Sequence, residues 1–120
     1  VIGYRQDDWP EKLTQVLKTV GLEDRARFFP AQLSGGELQR ACLARALIVE
    51  PKIILADEPT GNLDPETSWE LMDLLKKINK KGTTVIMATH NFDIVNSLRQ
   101  RVIKLESGKL VFDKKRGKYE

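Results

Sequence analysis

Two adjacent carboxylates, Asp57 and Glu58, follow the apolar run Ile53-Ile54-Leu55-Ala56 and precede Pro59. If that run is a buried strand, the acids stand at its C-terminal end, where open α/β sheets place their ligands. One carboxylate can hold Mg²⁺ through water while the other orients or deprotonates an attacking water. The competing reading is that one of them only caps the turn at Pro59-Thr60-Gly61. A second candidate is Ser34-Gly35-Gly36 at the start of a helix, where two glycines leave N–H groups unobstructed and the helix dipole favours an anion such as a γ-phosphate. The same Ser34, with Glu37, completes a Ser-x-x-Glu capping box, which would explain both residues without any ligand. His90 directly follows Val85-Ile86-Met87-Ala88-Thr89, again at a strand end. It reads either as a group that meets phosphate or as a satisfied surface or core histidine.

The elements that must position these residues follow from spacing. Asp7-Asp8 ahead of Pro10 start a helix whose apolar residues Trp9, Leu13, Val16, Leu17 and Val20 recur at helical intervals, and Gly21 closes it. Leu22 to Gln32 is charged, contains Pro30, and reads as a loop or short turn. The second helix starts at Gly35 and runs to about Val49, where Pro51 prevents continuation. Ile53 to Ala56 and Thr83 to Thr89 are expected to be strands buried on both faces of a parallel sheet. Between them, Asp64 and Pro65 open a helix with the stripe Trp69, Met72, Leu75 and Ile78, ending in lysines and Gly82. Strand, helix and strand make a βαβ crossover. Asn91 caps a short helix, and the segments flanking Ser107-Gly108 form a hairpin.

The 120 residues, 41% hydrophobic, suffice for one core, giving one compact unit or a piece of a larger one. No apolar run approaches the roughly 20 residues of a membrane span, and Val1-Ile2-Gly3-Tyr4 lacks a signal-peptide layout. The one cysteine, Cys42, cannot pair internally and is read as a small buried hydrophobe in a reducing compartment. The net charge of +3 is modest, and the basic tail Lys114-Lys115-Arg116-Gly117-Lys118 reads as a solvated terminus. Without interleaved aromatics or a base-reading motif, no nucleic-acid partner is expected.

Taken in order, Leu33 to Glu37, Ile53 to Pro59, Gly61-Asn62-Leu63-Asp64 and His90 resemble the ATP-binding-cassette ATPases, with their signature motif, Walker B strand, D-loop and switch histidine. The resemblance covers Leu33 to the C-terminus. Ala56 to Pro65 looks like the branch that holds cell-division, lipoprotein-release and macrolide-export ATPases. Met87-Ala88-Thr89-His90, Ile94-Val95-Asn96 and Arg101-Val102-Ile103 are most similar to the cell-division members.

The resemblance implies an α/β fold, the C-terminal part of a P-loop NTPase nucleotide-binding domain, with a parallel sheet, flanking helices and part of the helical subdomain. Residues 1–50 would be the helical portion with the signature motif, and residues 51–120 the C-terminal part of the α/β core. It assigns catalysis to Glu58 and His90, nucleotide contact to Ser34, Gly35, Gly36 and Glu37, dimer communication to Asp64, and water-mediated Mg²⁺ to Asp57. ATP and Mg²⁺ are the implied cofactors. The implied assembly is a head-to-tail homodimer sandwiching ATP and docked, through the N-terminal helical segment, on an integral membrane partner at the cytoplasmic face of the membrane. No Gly-x-x-x-x-Gly-Lys-Ser/Thr loop occurs, since Gly108-Lys109 is followed by Leu110 and Gly117-Lys118 by Tyr119. The expectation is therefore a portion of a longer ATPase that hydrolyses in the complete protein and does not bind nucleotide alone. The alternatives are a lipoprotein-release or macrolide-export subunit, or a truncated, non-catalytic interaction module.

Overall fold

Ser34 fixes the start of one helix and Asp64 the start of another, and the first compact unit is built around those two caps. The computed structural model describes residues 9–116, which divide into a unit ending at Met87 and a second unit beginning at Ala88. The expected cap at Asp7-Asp8 lies outside the described residues.

In the first unit, α1 (Trp9–Thr19) holds Pro10 in its opening turn, and Gly21 takes a left-handed φ of 73° just after it. No residue of α1 itself is buried: Val20 and Leu22, just beyond its end, are the first buried residues, whereas Trp9 and Leu13 are exposed. Two short 3₁₀ turns, Glu23–Arg25 and Pro30–Gln32, occupy the segment read as a loop. Helix α2 (Gly35–Leu47) buries Gly36, Leu43 and Ala44 and packs against α1 and against α3 (Pro65–Lys80). The buried stripe of α3 is Ser68, Leu71, Met72, Leu75 and Ile78. Trp69, which the spacing put in that stripe, is 38% exposed because the stripe is centred on Leu71 and Met72. Lys77 and Lys80 lie in the last turn, facing the negative end of the helix dipole. Gly82 takes a φ of 112° beyond it, donating its N–H to the Asn79 carbonyl at 3.0 Å.

Strands β1 (Ile53–Asp57) and β2 (Thr84–Ala88) form a parallel pair joined by α3. They are not buried on both faces as expected. Ile54 packs into the core, while Ile53 and Leu55 are 55% and 77% exposed and Ile86 is 54% exposed. Alternation explains this: α2 and α3 supply the core around one side of β1, and no described residue covers the side carrying Ile53 and Leu55. Cys42 is likewise exposed rather than buried, because the buried face of α2 passes through its neighbours Leu43 and Ala44.

The second unit contains α4 (Phe92–Leu98), capped by Asn91, and the antiparallel hairpin of β3 (Val102–Glu106) and β4 (Lys109–Lys114). Ser107 and Gly108 make the expected tight turn with φ values of 49° and 76°. A bulge between Lys104 and Leu105 shifts the register. Arg101 donates from Nε and Nη2 to the two Asp113 oxygens at 2.8 and 2.7 Å, a bidentate pair closing the open end of the hairpin.

Candidate functional site

The start of α2 is built by reciprocal hydrogen bonds. The Glu37 N–H donates to Ser34 Oγ at 3.2 Å, and the Ser34 N–H donates to Glu37 Oε1 at 3.0 Å. The expected capping box is therefore present, and it uses one Glu37 oxygen. The other, Oε2, accepts from Arg25 Nε at 3.1 Å. These bonds, that from the Ser34 backbone first, hold the Glu37 carboxyl below its ordinary range. Glu37 thus serves the helix start before it serves any ligand.

On its other side, the same start meets the beginning of α3. Leu63 Cδ2 sits at van der Waals distance from where a side chain on Gly35 would begin, and the Thr67 methyl fills the space a Cβ on Gly36 would need. Thr67 is itself fixed, donating from Oγ1 to Asp64 Oδ1 at 2.6 Å and from its N–H to Asp64 Oδ2 at 3.1 Å. The structure therefore brings Ser34, Gly35, Gly36 and Glu37 together with Leu63, Asp64 and Thr67.

The hydrogen bonds from Thr67, side chain first, hold the Asp64 carboxyl below its ordinary value of 3.8. Because the folded value is lowered, the stabilisation by this cap is complete above the unfolded value and is lost as pH falls through the folded one. Replacing Asp64 by Ala should lower the melting temperature by a few degrees at neutral pH. The gap between variant and wild type should narrow as the pH falls progressively below the ordinary value of 3.8. A gap that stays constant throughout that acid range would show that the cap does not depend on the carboxylate.

Asp57 closes β1 with an exposed side chain, but Glu58 does not continue the strand. Its φ of 46° is left-handed, which a non-glycine residue adopts at a cost, and the Gly61 N–H donates to the Glu58 carbonyl at 3.1 Å to close the turn. Both acids were expected at the C-terminal end of the strand; Asp57 is its last residue, and Glu58 leaves it at a left-handed φ to open the turn. As for the turn, it is the backbone carbonyl of Glu58 that accepts its closing bond.

Among the described residues, no three His, Cys, Asp or Glu gather around a metal. A lone carboxylate at a strand end nevertheless fits Mg²⁺, which keeps most of its water and takes further ligands from phosphate. Asp57 also borders an open cavity of about 190 Å³, whose lining of Leu43, Ile54, Leu55, Leu71 and Leu75 is too apolar to hold phosphate.

His90 belongs to the second unit, exposed between β2 and α4. Beside it the Asn91 N–H donates to Thr89 Oγ1 at 3.1 Å, and the Ile94 N–H donates to Asn91 Oδ1 at 3.2 Å. Sequence reasoning missed Arg25 and Thr67. Thr67 had a readable signal, since it stands three residues after a capping Asp. Arg25 had none, being one charge among several in the segment before α2.

Comparison with known proteins gives this arrangement its context. The family described as "ABC transporter" matches residues 5–61. The cell division ATP-binding protein FtsE of Mycobacterium tuberculosis is 56% identical over 119 residues, which are 99% of this chain and 52% of that protein. The chain thus spans about half the length of the curated cell-division relatives it matches. Among solved structures, cbiO1 from Clostridium perfringens, part of the ABC transporter complex cbiONQ, superposes with a TM-score of 0.87 at 32% identity, over 95% of this chain and 46% of that one. The dimeric ABC transporter cassette MJ0796 gives a TM-score of 0.77 at 39% identity, over 98% and 51% of the two chains.

Proposed function

For a chain that belongs to the ATP-binding-cassette ATPases, as this one does, we propose the following role: it supplies the hydrolytic part of a nucleotide-binding subunit of the cell-division kind. Residues 1–50 form the portion carrying the signature helix start, and residues 51–120 the part carrying the acids and His90. Two subunits pack head to tail. Ser34, Gly35 and Gly36 of one face the γ-phosphate held on the other, which is the anion chemistry a helix start with free N–H groups performs.

Glu58 polarises the attacking water, Asp57 is the residue that would hold Mg²⁺, His90 meets the γ-phosphate and Asp64 carries the closure signal across the interface. Bound Mg²⁺ supplies charge neutralisation at the phosphates. The membrane partner docks on the segment around α1, whose exposed Trp9 and Leu13 leave apolar surface there, and the subunit works at the cytoplasmic face of the membrane. No helix among the described residues is long and apolar enough to cross a membrane itself.

The observation that carries this reading is the shared packing of two helix starts, α2 through Gly36 and α3 through Thr67, since it links the phosphate-facing residues to Asp64 within one rigid contact. The relatives support the cell-division assignment over lipoprotein release, where the similarity to LolD of Hyphomonas neptunium is 44% against 52–56% for the FtsE proteins.

The test is turnover by the whole protein as a function of its own concentration. Sites shared between two copies make specific activity rise with protein concentration, and the 120-residue chain by itself should show a dissociation constant for Mg-ATP weaker than about 1 mM by calorimetry. Specific activity independent of concentration, or tight binding by the chain alone, would refute the shared site.

A further inference from the structure

A carboxylate in the first turn stabilises a helix, but the same charge opposes any anion brought to that helix start. At α2 the two demands collide, because Glu37 sits among the residues read as facing a phosphate. The structure contains a resolution. Glu37 Oε1 is used as the cap acceptor for the Ser34 N–H, and Oε2 accepts from Arg25, the last residue of the 3₁₀ turn Glu23–Arg25, twelve positions earlier.

Arg25 is held where it can do this. Its N–H donates to the Leu22 carbonyl at 2.9 Å, its own carbonyl accepts the Phe28 N–H at 3.0 Å, and its guanidinium carbon lies 4.8 Å from the centroid of the Phe28 ring. Stacking on a ring while donating from Nε is guanidinium geometry, which an ammonium does not reproduce. Glu37 is 21% exposed and Arg25 41%, so the pair is partly shielded and less screened than a pair fully in water.

We infer that Arg25 is a positioning residue for the signature helix start, cancelling the Glu37 charge so that the Gly35 and Gly36 N–H groups receive a phosphate without a fixed negative charge beside them. The inference rests on the proposed reading of that helix start. It adds a residue that no motif marks, and it gives Glu37 one task in two parts: capping through one oxygen, and surrendering its charge through the other.

The discriminating experiment uses the whole protein. Arg25→Ala should raise the KM for ATP roughly three- to tenfold, the range for one poorly screened unit charge near a phosphate, with kcat within about twofold of wild type. Arg25→Lys should fall between the two. The decisive variant is Arg25→Ala combined with Glu37→Gln, because a glutamine carbonyl still accepts from the Ser34 N–H while the charge is gone. Its KM should return to that of Glu37→Gln alone.

If the double variant is as impaired as Arg25→Ala, Arg25 acts by packing and the inference is overturned. A KM for Arg25→Ala within about twofold of wild type overturns it as well. Gly35→Arg, which blocks the N–H groups, separates this from failure of the functional reading. Should Gly35→Arg leave KM and kcat at wild-type values, or should the wild type show no turnover, the helix start is no phosphate contact and the inference falls with that reading. An inactive Gly35→Arg beside an unaffected Arg25→Ala refutes the inference alone.

Discussion

Replacing Glu58 by Gln is expected to cut ATP turnover by the whole protein roughly 10²- to 10⁴-fold, the scale of a lost general base, while nucleotide binding persists. Gln keeps the size and the hydrogen-bonding carbonyl of Glu and removes only the capacity to take a proton. The backbone argues for a functional rather than a structural residue. Glu58 holds a left-handed φ of 46° at the point where β1 ends, a conformation that Gly would adopt more readily. A residue kept there for stability alone would be the wrong residue. Glu58→Gly should therefore leave the melting temperature unchanged or raise it, and still abolish turnover. Single-turnover hydrolysis, calorimetric ATP binding and thermal melts of both variants check this. Normal turnover in Glu58→Gln would remove Glu58 from catalysis, and a clear loss of stability in Glu58→Gly would show that its side chain serves the fold.

Local chemistry made much of the fold legible. The Ser34 and Asp64 caps, the helix stops at Gly21 and Gly82, the Asn91 cap and the Ser107-Gly108 turn each depend on a few neighbouring residues, and each stands where the spacing put it. What failed to show was burial, which depends on what lies opposite. Ile53-Ile54-Leu55-Ala56 is apolar throughout, which suits a strand covered on both faces, yet only one face is covered by described residues. Cys42 and Trp69 were misplaced for a related reason: helical spacing gives a stripe but not its centre, and here the centre lies on Leu43-Ala44 and on Leu71-Met72. At the site, motif order pointed to Ser34, Gly36 and Asp64 but not to how they are joined. The Arg25–Glu37 pair spans twelve residues, and the Gly36–Thr67 contact joins two helices, so both are properties of packing that periodicity does not record.

That packing yields the second large effect. Gly36 is buried and its φ is not left-handed, so its requirement for glycine is one of space alone. A Cβ at Gly36 would run into the Thr67 methyl, whereas one at Gly35 would reach Leu63 Cδ2 only at 3.4 Å, close to ordinary contact. Thr67 has no easy retreat, because its hydroxyl and its N–H are both committed to Asp64. Gly36→Ala must then push α2 away from α3, at about 1–3 kcal/mol for an overpacked contact, and should abolish turnover by moving the helix start. Gly35→Ala should be much milder in stability. Thr67→Ser removes the obstructing methyl and retains the hydroxyl that bonds Asp64, so it should return a Gly36→Ala protein toward wild-type melting. If turnover returns with it, the glycine is there to let the two helix starts meet, and their spacing controls hydrolysis. If stability returns without turnover, Gly36 serves the phosphate directly and the contact with α3 is incidental to catalysis. A Gly36→Ala protein that melts and turns over like wild type would show that α2 has room to move, and the rigid link between the signature helix start and Asp64 would have to be abandoned.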